Sequence, residues 1–267
     1  MAITTLAGVL SGLIPPQPFA KAAQSGGTTN IPVSYWASGG FPRAGSYDST
    51  LNGVALTSPI TGQIPFTNPA SGNTYLAKLS GTVGSSGSST VHLMDRLWHN
   101  GGIATSTATP QTIVTPTWPA RDDTGSTGGV GVILAIEASA ATAATVNASI
   151  SYTNSGGVSG RTSIGGNIIN VYTGDFIYMT LQAGDVGVQS VQSITVNLAA
   201  GVVVNVVAYR RLATVTNPFL ARSAVGDAVS LGMPRMFNSS VPFLVAETSA
   251  TWDASSSLVG HVLFTQG

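Results

Sequence analysis

Cysteine is absent from this 267-residue sequence, and charged residues are scarce. The absence of cysteine excludes disulfide bonds and thiolate metal sites, and it leaves the redox compartment undetermined. Charged residues make up 7% of the chain, whereas an ordinary soluble domain has about 25%. Because charge keeps protein surfaces apart in water and is depleted in interface cores, we infer that other protein subunits cover much of this surface.

The net charge is zero, since the chain has ten basic and ten acidic residues. Composition therefore gives no electrostatic reason to expect a nucleic acid or an anionic membrane as partner. There is no run of about 18 apolar residues, so we expect no transmembrane helix. No basic residue precedes Lys21, and prolines interrupt the first apolar tract, so we also expect no signal peptide.

Residues 1–29 are predicted to form an N-terminal docking arm, followed by a β-rich domain over residues 30–267. Thr5 can cap a short helix that Pro15 and Pro16 end. The apolar stripe of that helix, at i, i+3, i+4 and i+7, consists of Leu6, Val9, Leu10 and Leu13. A helix this short is marginal alone in water. Its stripe is therefore expected to pack either in a groove on a partner or on its own domain, and the sequence leaves both alternatives open.

From residue 30 onward the pattern is that of an all-β protein, either a β-sandwich or a jelly-roll-like fold. The predicted strands are Ile31–Ala37, Thr74–Val83, Ser89–His99, Gln111–Trp118, Gly131–Glu137, Val146–Tyr152, Asp175–Leu181, Val188–Asn197, Val202–Leu212, Val241–Glu247 and Leu258–Thr265. The Gly/Ser cluster after Val83 indicates a hairpin between the second and third of these strands. A phase slip in VQSVQSITVN indicates a β-bulge. No boundary between two lobes can be read within this domain.

One short helix is predicted near residues 217–231. Asn217 can serve as its N-cap, Pro218 occupies its first position, and Gly232 can close its end. Gly226 in the middle argues against this helix.

The stretch HLMDRLWHN, residues 92–100, carries more reactive side chains than any other part of the chain. On a helix, His92, Asp95 and His99 would share one face and could bind a metal. The flanking Gly and Ser residues favour a strand, in which Asp95 and His99 face away from His92 and lie about 13 Å apart. No single metal ion spans that distance, so we predict a structural strand in which Asp95 and Arg96 pair with neighbours and Trp98 packs.

Other charged or glycine-rich motifs also have simpler structural explanations. Asp122 and Asp123 are predicted to cap the turn before GSTGG and to pair with Arg121. The glycine-rich segment 125–131 lacks the GK[ST] of a phosphate loop, and His261 is predicted to be a packed strand residue. We therefore expect no enzymatic activity, no metal and no cofactor.

Several phrases of the sequence resemble virion structural proteins of tailed bacteriophages. They are MAITTLAGVLSGLIPPQPFAK, LNGVALTSPITGQIPFTNPASGNTYLAKLSG, DRLWHNGGI, TWPARDDTGSTGG, LQAGDVGVQSVQSITV and GMPRMFNSSVPFLVAE. The resemblance covers most of the chain and includes no catalytic motif. It implies a capsid decoration (cement) or minor capsid protein, located in the virion and assembled in the cytoplasm of a bacterial host. The implied partners are further copies of the chain, with a trimer favoured, and the major capsid protein.

A phage tail or host-contact protein that binds a receptor or a glycan is the close alternative, and a bacterial surface adhesin is another. A carbohydrate-binding module or depolymerase would need aromatic platforms or paired carboxylates, whereas the chain has four tryptophans and scattered acids. Because buried aromatic and arginine residues supply most interface energy, we predict that such residues join the arm's apolar stripe in subunit contacts. These residues are Tyr35, Trp36, Phe41, Arg43, Arg235, Met236 and Phe237.

Overall fold

A computed structural model gives the fold, which is nearly all β. The residues it describes are 3, 5–24, 29–84, 87–141, 147–163, 165, 172–196, 203–219, 222–253 and 256–267. Within them lie helix α1 (Leu6–Ser11) and strands β1 (Gln17–Lys21), β2 (Val33–Ser34), β3 (Gly40–Phe41), β4 (Val54–Ala55), β5 (Thr74–Val83), β6 (Ser89–His99), β7 (Gln111–Thr112), β8 (Val132–Ala138), β9 (Ala148–Asn154), β10 (Arg161–Thr162), β11 (Phe176–Tyr178), β12 (Val188–Val196), β13 (Val204–Asn217), β14 (Ala224–Asp227), β15 (Arg235–Met236), β16 (Pro242–Thr248) and β17 (Leu258–Gln266). The predicted fold class is confirmed. No helix in these ranges is long and apolar enough to cross a membrane.

The strands form three antiparallel sheets. The largest has seven strands in the order β11-β8-β13-β6-β16-β2, with β4 added beside β6. A six-stranded sheet has the order β14-β5-β17-β1-β3, with β15 beside β5, and a four-stranded sheet has the order β10-β9-β12-β7. Strand β13, rich in β-branched residues, pairs with both β8 and β6 and so lies in the middle of the largest sheet.

Apolar side chains fill three cores around the seven-stranded sheet. One core joins part of a face of this sheet to the four-stranded sheet, for example through Val206 and Ile194. A second joins another part of the sheet to the six-stranded sheet, through residues such as Leu93 and Val262. The third contains Tyr209 and loop residues packed against the sheet. The architecture is thus a layered β-sandwich.

Strand positions were predicted better than strand pairing. The bounds predicted for β5 and β6 are confirmed, and β12 has the predicted irregularity, with register shifts against β9. The prediction of a hairpin between β5 and β6 is wrong. Strand β5 pairs with β14, β15 and β17, whereas β6 pairs with β4, β13 and β16. The Gly/Ser loop carries the chain from one sheet to another, which lets both strands bury side chains in the same core.

The prediction of a helix near residues 217–231 is also wrong for the described residues of that segment. Strand β13 continues to Asn217, and β14 occupies Ala224–Asp227. The Asn217 side chain accepts a hydrogen bond from the Phe219 N–H and donates to the carbonyls of Phe219 and Arg222. Asn217 therefore stabilises a turn, in keeping with the residue's preference for local backbone bonds.

The N-terminal segment packs on its own chain. The Thr5 hydroxyl accepts a hydrogen bond from the Gly8 N–H at 3.1 Å, as predicted for the cap, and α1 ends at Ser11, with Gly12 as its C-cap, before the prolines. Strand β1 then pairs with both β17 and β3. The segment therefore packs on its own domain through its backbone and Val9, while Leu6, Leu10 and Leu13 of the predicted stripe stay exposed.

Candidate interaction surface

Strand β6 holds the reactive cluster, and a bulge changes which side chains share a face. Arg96 and Trp98 lie opposite consecutive residues of β13, so Leu97 is the extra residue. Beyond this bulge the alternation of faces is reversed. His99 therefore joins Arg96, whose Nε donates to His99 Nδ1 at 3.0 Å. The prediction that His99 shares a face with Asp95 is wrong for this reason.

Asp95 is the centre of a fully enclosed ionic cluster. Its carboxylate accepts hydrogen bonds from Arg121 Nε at 3.0 Å, Ser240 Oγ at 2.8 Å and the Val241 N–H at 2.8 Å. Arg210 Nη2 lies 3.5 Å from the same carboxylate. Because Asp95 is 0% exposed, these donors replace the water that would otherwise solvate its charge.

Arg121 connects this cluster to the loops above the sheet. Its guanidinium also donates to the carbonyls of Leu56 and Ser239, each at 2.7 Å, and of Arg96 at 2.6 Å. Burial lowers the pKa of Arg121, and the Asp95 charge opposes that shift. The side chain thus fixes two loops to the middle of β6.

Asp122 caps the following turn as predicted, but it does not pair with Arg121. Its carboxylate accepts hydrogen bonds from the N–H groups of Thr124, Ser126 and Val130 and from the hydroxyls of Thr124 and Ser126. Burial alone would raise the pKa of Asp122, yet these bonds lower it to about 2. The predicted partner was wrong because Arg121 points inward, to the carboxylate of Asp95.

A second buried pair lies on the other face of β6. Arg96 Nη2 is 2.6 Å from Glu137 Oε2, and both side chains are fully buried. The Arg96 guanidinium also lies 4.7 Å from the centroid of the Trp36 ring. Burial, and then the charge of Arg96, lowers the pKa of His99 to about 2, so this imidazole is neutral and accepts the Arg96 hydrogen bond.

His92 occupies a more open part of the same face. Its Nδ1 lies 2.8 Å from Thr214 Oγ1, and its Nε2 lies 3.1 Å from Glu247 Oε1. Tyr178 donates its hydroxyl to the same carboxylate oxygen at 3.1 Å. The hydrogen bond with His92 lowers the pKa of Glu247, against the effect of burial. His261 is half-buried in β17.

These clusters bind the protein's own elements together. The side chains of the pairs Arg121–Asp95 and Arg96–Glu137 are 0% exposed, so no substrate reaches them. Across the described ranges, no three His, Asp or Glu side chains come together as a potential metal site. Contact with other molecules must therefore use the exposed residues.

The first exposed surface is the α1 stripe, which we define as Leu6, Leu10 and Leu13. These side chains are 68%, 60% and 38% exposed, whereas Val9, the fourth residue of the predicted pattern, is buried. The Thr265 hydroxyl donates to the Val9 carbonyl at 2.8 Å, and the Gln266 N–H donates to Gly12 O at 2.9 Å. The helix is thus fixed on β17 with most of its apolar stripe facing outward.

The second exposed surface is an apolar groove of about 640 Å³, which we call the proline groove. It is lined by Phe41, Pro42, Arg43, Pro59, Ile60, Thr61, Gly62, Gln63 and Pro65. Phe41 is 48% exposed, and Arg43 is exposed as well. Lys21 of β1 supports one wall, because its ammonium donates to the carbonyls of Ser38 and Pro42. Burial lowers the pKa of Lys21 to about 8.

A third surface contains the predicted residues near the end of the chain. Arg235 is exposed, and its guanidinium lies 4.6 Å from the centroid of the half-buried Phe237 ring. Arg210 lies 5.0 Å from the same centroid. Met236, between them, is buried and does not contribute to the surface.

Tyr35 and Trp36 are not surface residues, so their predicted place in a subunit contact is corrected. Tyr35 is 1% exposed and donates its hydroxyl to Ser256 O, and Trp36 is 0% exposed. A Cβ atom at Gly45 would lie only 2.3 Å from the Trp36 ring, which shows how closely the groove loops pack on it. Trp36 therefore supports the proline groove from inside.

Sequence reasoning found one wall of the groove and missed the other. Phe41 and Arg43 were selected for residue type, whereas Pro59, Ile60 and Pro65 were not selected. No local signal marked this wall, because the apolar residues Ile60, Ile64 and Phe66 of the same ITGQIPF stretch pack against the cores.

No protein-family model matches the chain, and no curated protein matches it by sequence. Among solved structures, the chain is similar to the VP2 subviral particle of infectious bursal disease virus, with 12% identity over 94% of this chain and 80% of that chain and a TM-score of 0.19. It is also similar to the structure of T=1 particles derived from infectious bursal virus, with 13% identity over 96% of this chain and 79% of that chain and a TM-score of 0.20. Similarity at this level supports no conclusion about fold or function.

Proposed function

We propose that this chain is a structural component of a virus particle that acts through contacts between protein subunits. Within that class we propose a capsid decoration or minor capsid protein of a tailed phage, without enzymatic activity. It would contact further copies of itself and the major capsid protein. The sequence resemblance suggests that the chain is part of a phage particle. The small number of exposed charges supports a role in contacts between subunits.

The observation that carries the proposal is the small number of charges left for the surface. Eight of the 20 charged residues are buried and five are half-buried, which leaves seven exposed. The accessible surface is 10,675 Å², close to the roughly 10,800 Å² expected for a compact monomer of this mass. Free soluble domains have roughly a quarter to a third of their surface residues charged. A surface this poor in charge suits a protein that is covered by its neighbours.

Exposed apolar side chains also support a role in contacts between subunits. Those in the described ranges include Leu6, Leu10, Leu13, Phe41, Val54, Val114, Val158, Val186, Val203, Phe219, Val225, Val229 and Val259. Single exposed apolar residues are normal on any protein. The α1 stripe groups three of these residues in one place, and the proline groove places Phe41 beside the exposed Pro59 and the half-buried Ile60 and Pro65.

Two measurements test this proposal. Sedimentation velocity across a concentration series should show a discrete oligomer, and a monomer up to the solubility limit would contradict it. Antibodies against the chain should label purified particles on the shell in electron micrographs. Labelling confined to the tail would support the host-contact alternative instead, and failure to label any particle would overturn a virion role.

A further inference from the structure

A pocket of about 250 Å³ lies next to the proline groove and shares Pro59 and Ile60 with it. It is lined by His99, at the end of β6, and by residues of the segments 46–48 and 54–57. The two parts meet because Val54 of β4 pairs with His99 in the seven-stranded sheet. We call this space the His99 pocket.

His99 presents an unused N–H group to this pocket. Its ring is 2% exposed and lies between the rings of Trp36 and Tyr47, whose centroids are each 5.9 Å away. Because Nδ1 accepts the hydrogen bond from Arg96, the proton of the neutral ring is on Nε2. No described residue accepts a hydrogen bond from Nε2, and this atom is not among the enclosed side-chain atoms that lack a partner. Nε2 therefore faces the open space of the pocket.

The protonation state of His99 restricts the ligands that fit. Burial keeps the ring neutral by lowering its pKa to about 2. A protonated Nε2 has no lone pair for a metal ion, and its N–H repels any cation. An anion would meet the carboxylate of Asp48, which lines the same pocket. The chemistry of the pocket thus favours a neutral ligand that carries both acceptors and donors.

Asp48 supplies an acceptor for such a ligand. Its Oδ1 accepts hydrogen bonds from the N–H group, at 2.7 Å, and from the hydroxyl of Thr50, whereas its Oδ2 has no hydrogen bond with a described residue. The exposed residues Ser46 and Thr57 also line the pocket. A hydroxyl group both donates and accepts. A sugar can therefore accept the His99 N–H with one hydroxyl and donate to Asp48 with another.

We propose that the His99 pocket binds one sugar unit of a carbohydrate, with His99 as donor and Asp48 as acceptor. Pockets for drug-sized ligands measure roughly 300–1,000 Å³, so a pocket of about 250 Å³ suits a single sugar ring. Tyr47 and Val54 add apolar wall beside these polar groups, as is usual in small-molecule sites. This inference goes beyond the proposed function and does not depend on it, because one copy of the chain holds the whole pocket.

Saturation-transfer NMR on the full chain tests the proposal with glucose, galactose, mannose and N-acetylglucosamine as probes. At least one of them should bind saturably. Asp48→Asn should weaken that binding about tenfold, because it replaces the unused acceptor oxygen by a donor, while Oδ1 can still accept from Thr50. Asp227→Asn is the matched control. Asp227 also caps a turn through Oδ1, which accepts the N–H groups of Val229 and Ser230, and it lies outside the pocket, so the affinity should not change.

His99→Phe keeps a ring beside Trp36 and Tyr47 but removes the N–H donor, and it should abolish binding. It also removes the acceptor of Arg96, so circular dichroism must show that the variant is folded. If it is not, Asp48→Asn alone decides.

Three results would overturn the proposal. None of the four sugars binds, or a sugar binds and Asp48→Asn leaves its affinity unchanged, or N-methylacetamide binds where no sugar does, which would indicate a peptide ligand. Because none of these results depends on the mass of the oligomer or on the labelling of particles, each of them leaves the proposed function standing.

Discussion

Asp175 is expected to make the protein less stable as pH rises, which is unusual for an acidic residue. Its side chain is 0% exposed. One carboxylate oxygen, Oδ2, accepts the Tyr172 N–H at 2.8 Å, while Oδ1 has no hydrogen-bond partner and no described basic residue pairs with it. Burial raises the pKa of Asp175 from 3.8 to about 6, against the smaller effect of the Tyr172 hydrogen bond.

The sign and size of the effect follow from this shift. Between the unfolded and folded pKa values, the folded state binds more protons than the unfolded state, so the free energy of unfolding falls as pH rises. At 1.36 kcal/mol per pKa unit, the loss reaches about 3 kcal/mol above pH 6. Asp175→Asn removes the charge and keeps an acceptor for Tyr172. It should therefore stabilise the protein near pH 8 far more than near pH 4.

Urea unfolding of both proteins, at about pH 4 and about pH 8, measures this difference. Asp227→Asn is the control, because Asp227 is exposed and hydrogen bonds from Ser230 lower its pKa. Its substitution should have the opposite sign, with a loss of stability confined to the higher pH. Equal pH dependence of Asp175→Asn and the unmodified protein would refute the reasoning.

Three further predictions concern the hydrogen-bonded carboxylates. Arg121→Ala leaves the buried Asp95 without its main partner, so urea unfolding should show a loss of about 3–5 kcal/mol. Asp122→Ala removes the acceptor for five hydrogen bonds and should cost about 1–3 kcal/mol, with most of the loss disappearing as pH falls toward 2 because the Asp122 pKa is lowered. Glu247→Gln should cost less than about 1 kcal/mol in thermal unfolding, because the Glu247 side chain is 34% exposed.

The sequence was informative wherever structure depends on neighbouring residues. Bounds for β5 and β6, the Thr5 cap and the irregularity in β12 follow from local turn residues and apolar periodicity. A strand's partner depends on residues far away, so the same signals wrongly paired β5 with β6. The short strand β1 was missed for that reason too, since its partner β17 lies at the other end of the chain.

The candidate surfaces were predictable only in part. Residue type identified Phe41 and Arg43, but it also selected Tyr35 and Trp36, which the fold buries. An aromatic residue can contribute as much to a core as to an interface, and only the path of the chain decides which. The partner of Arg121 was misassigned in the same way, because Asp95 lies close to it in space and not in sequence.

The pairing of β1 with β17 also bears on when the chain can complete its fold. During synthesis, β1 leaves the ribosome long before β17 exists, and contacts between distant segments form slowly. Strand β1 can pair with Gly40–Phe41 early, but α1 lacks its hydrogen bonds to Thr265 and Gln266 until β17 arrives. The six-stranded sheet therefore cannot close around β17 until translation has passed residue 258.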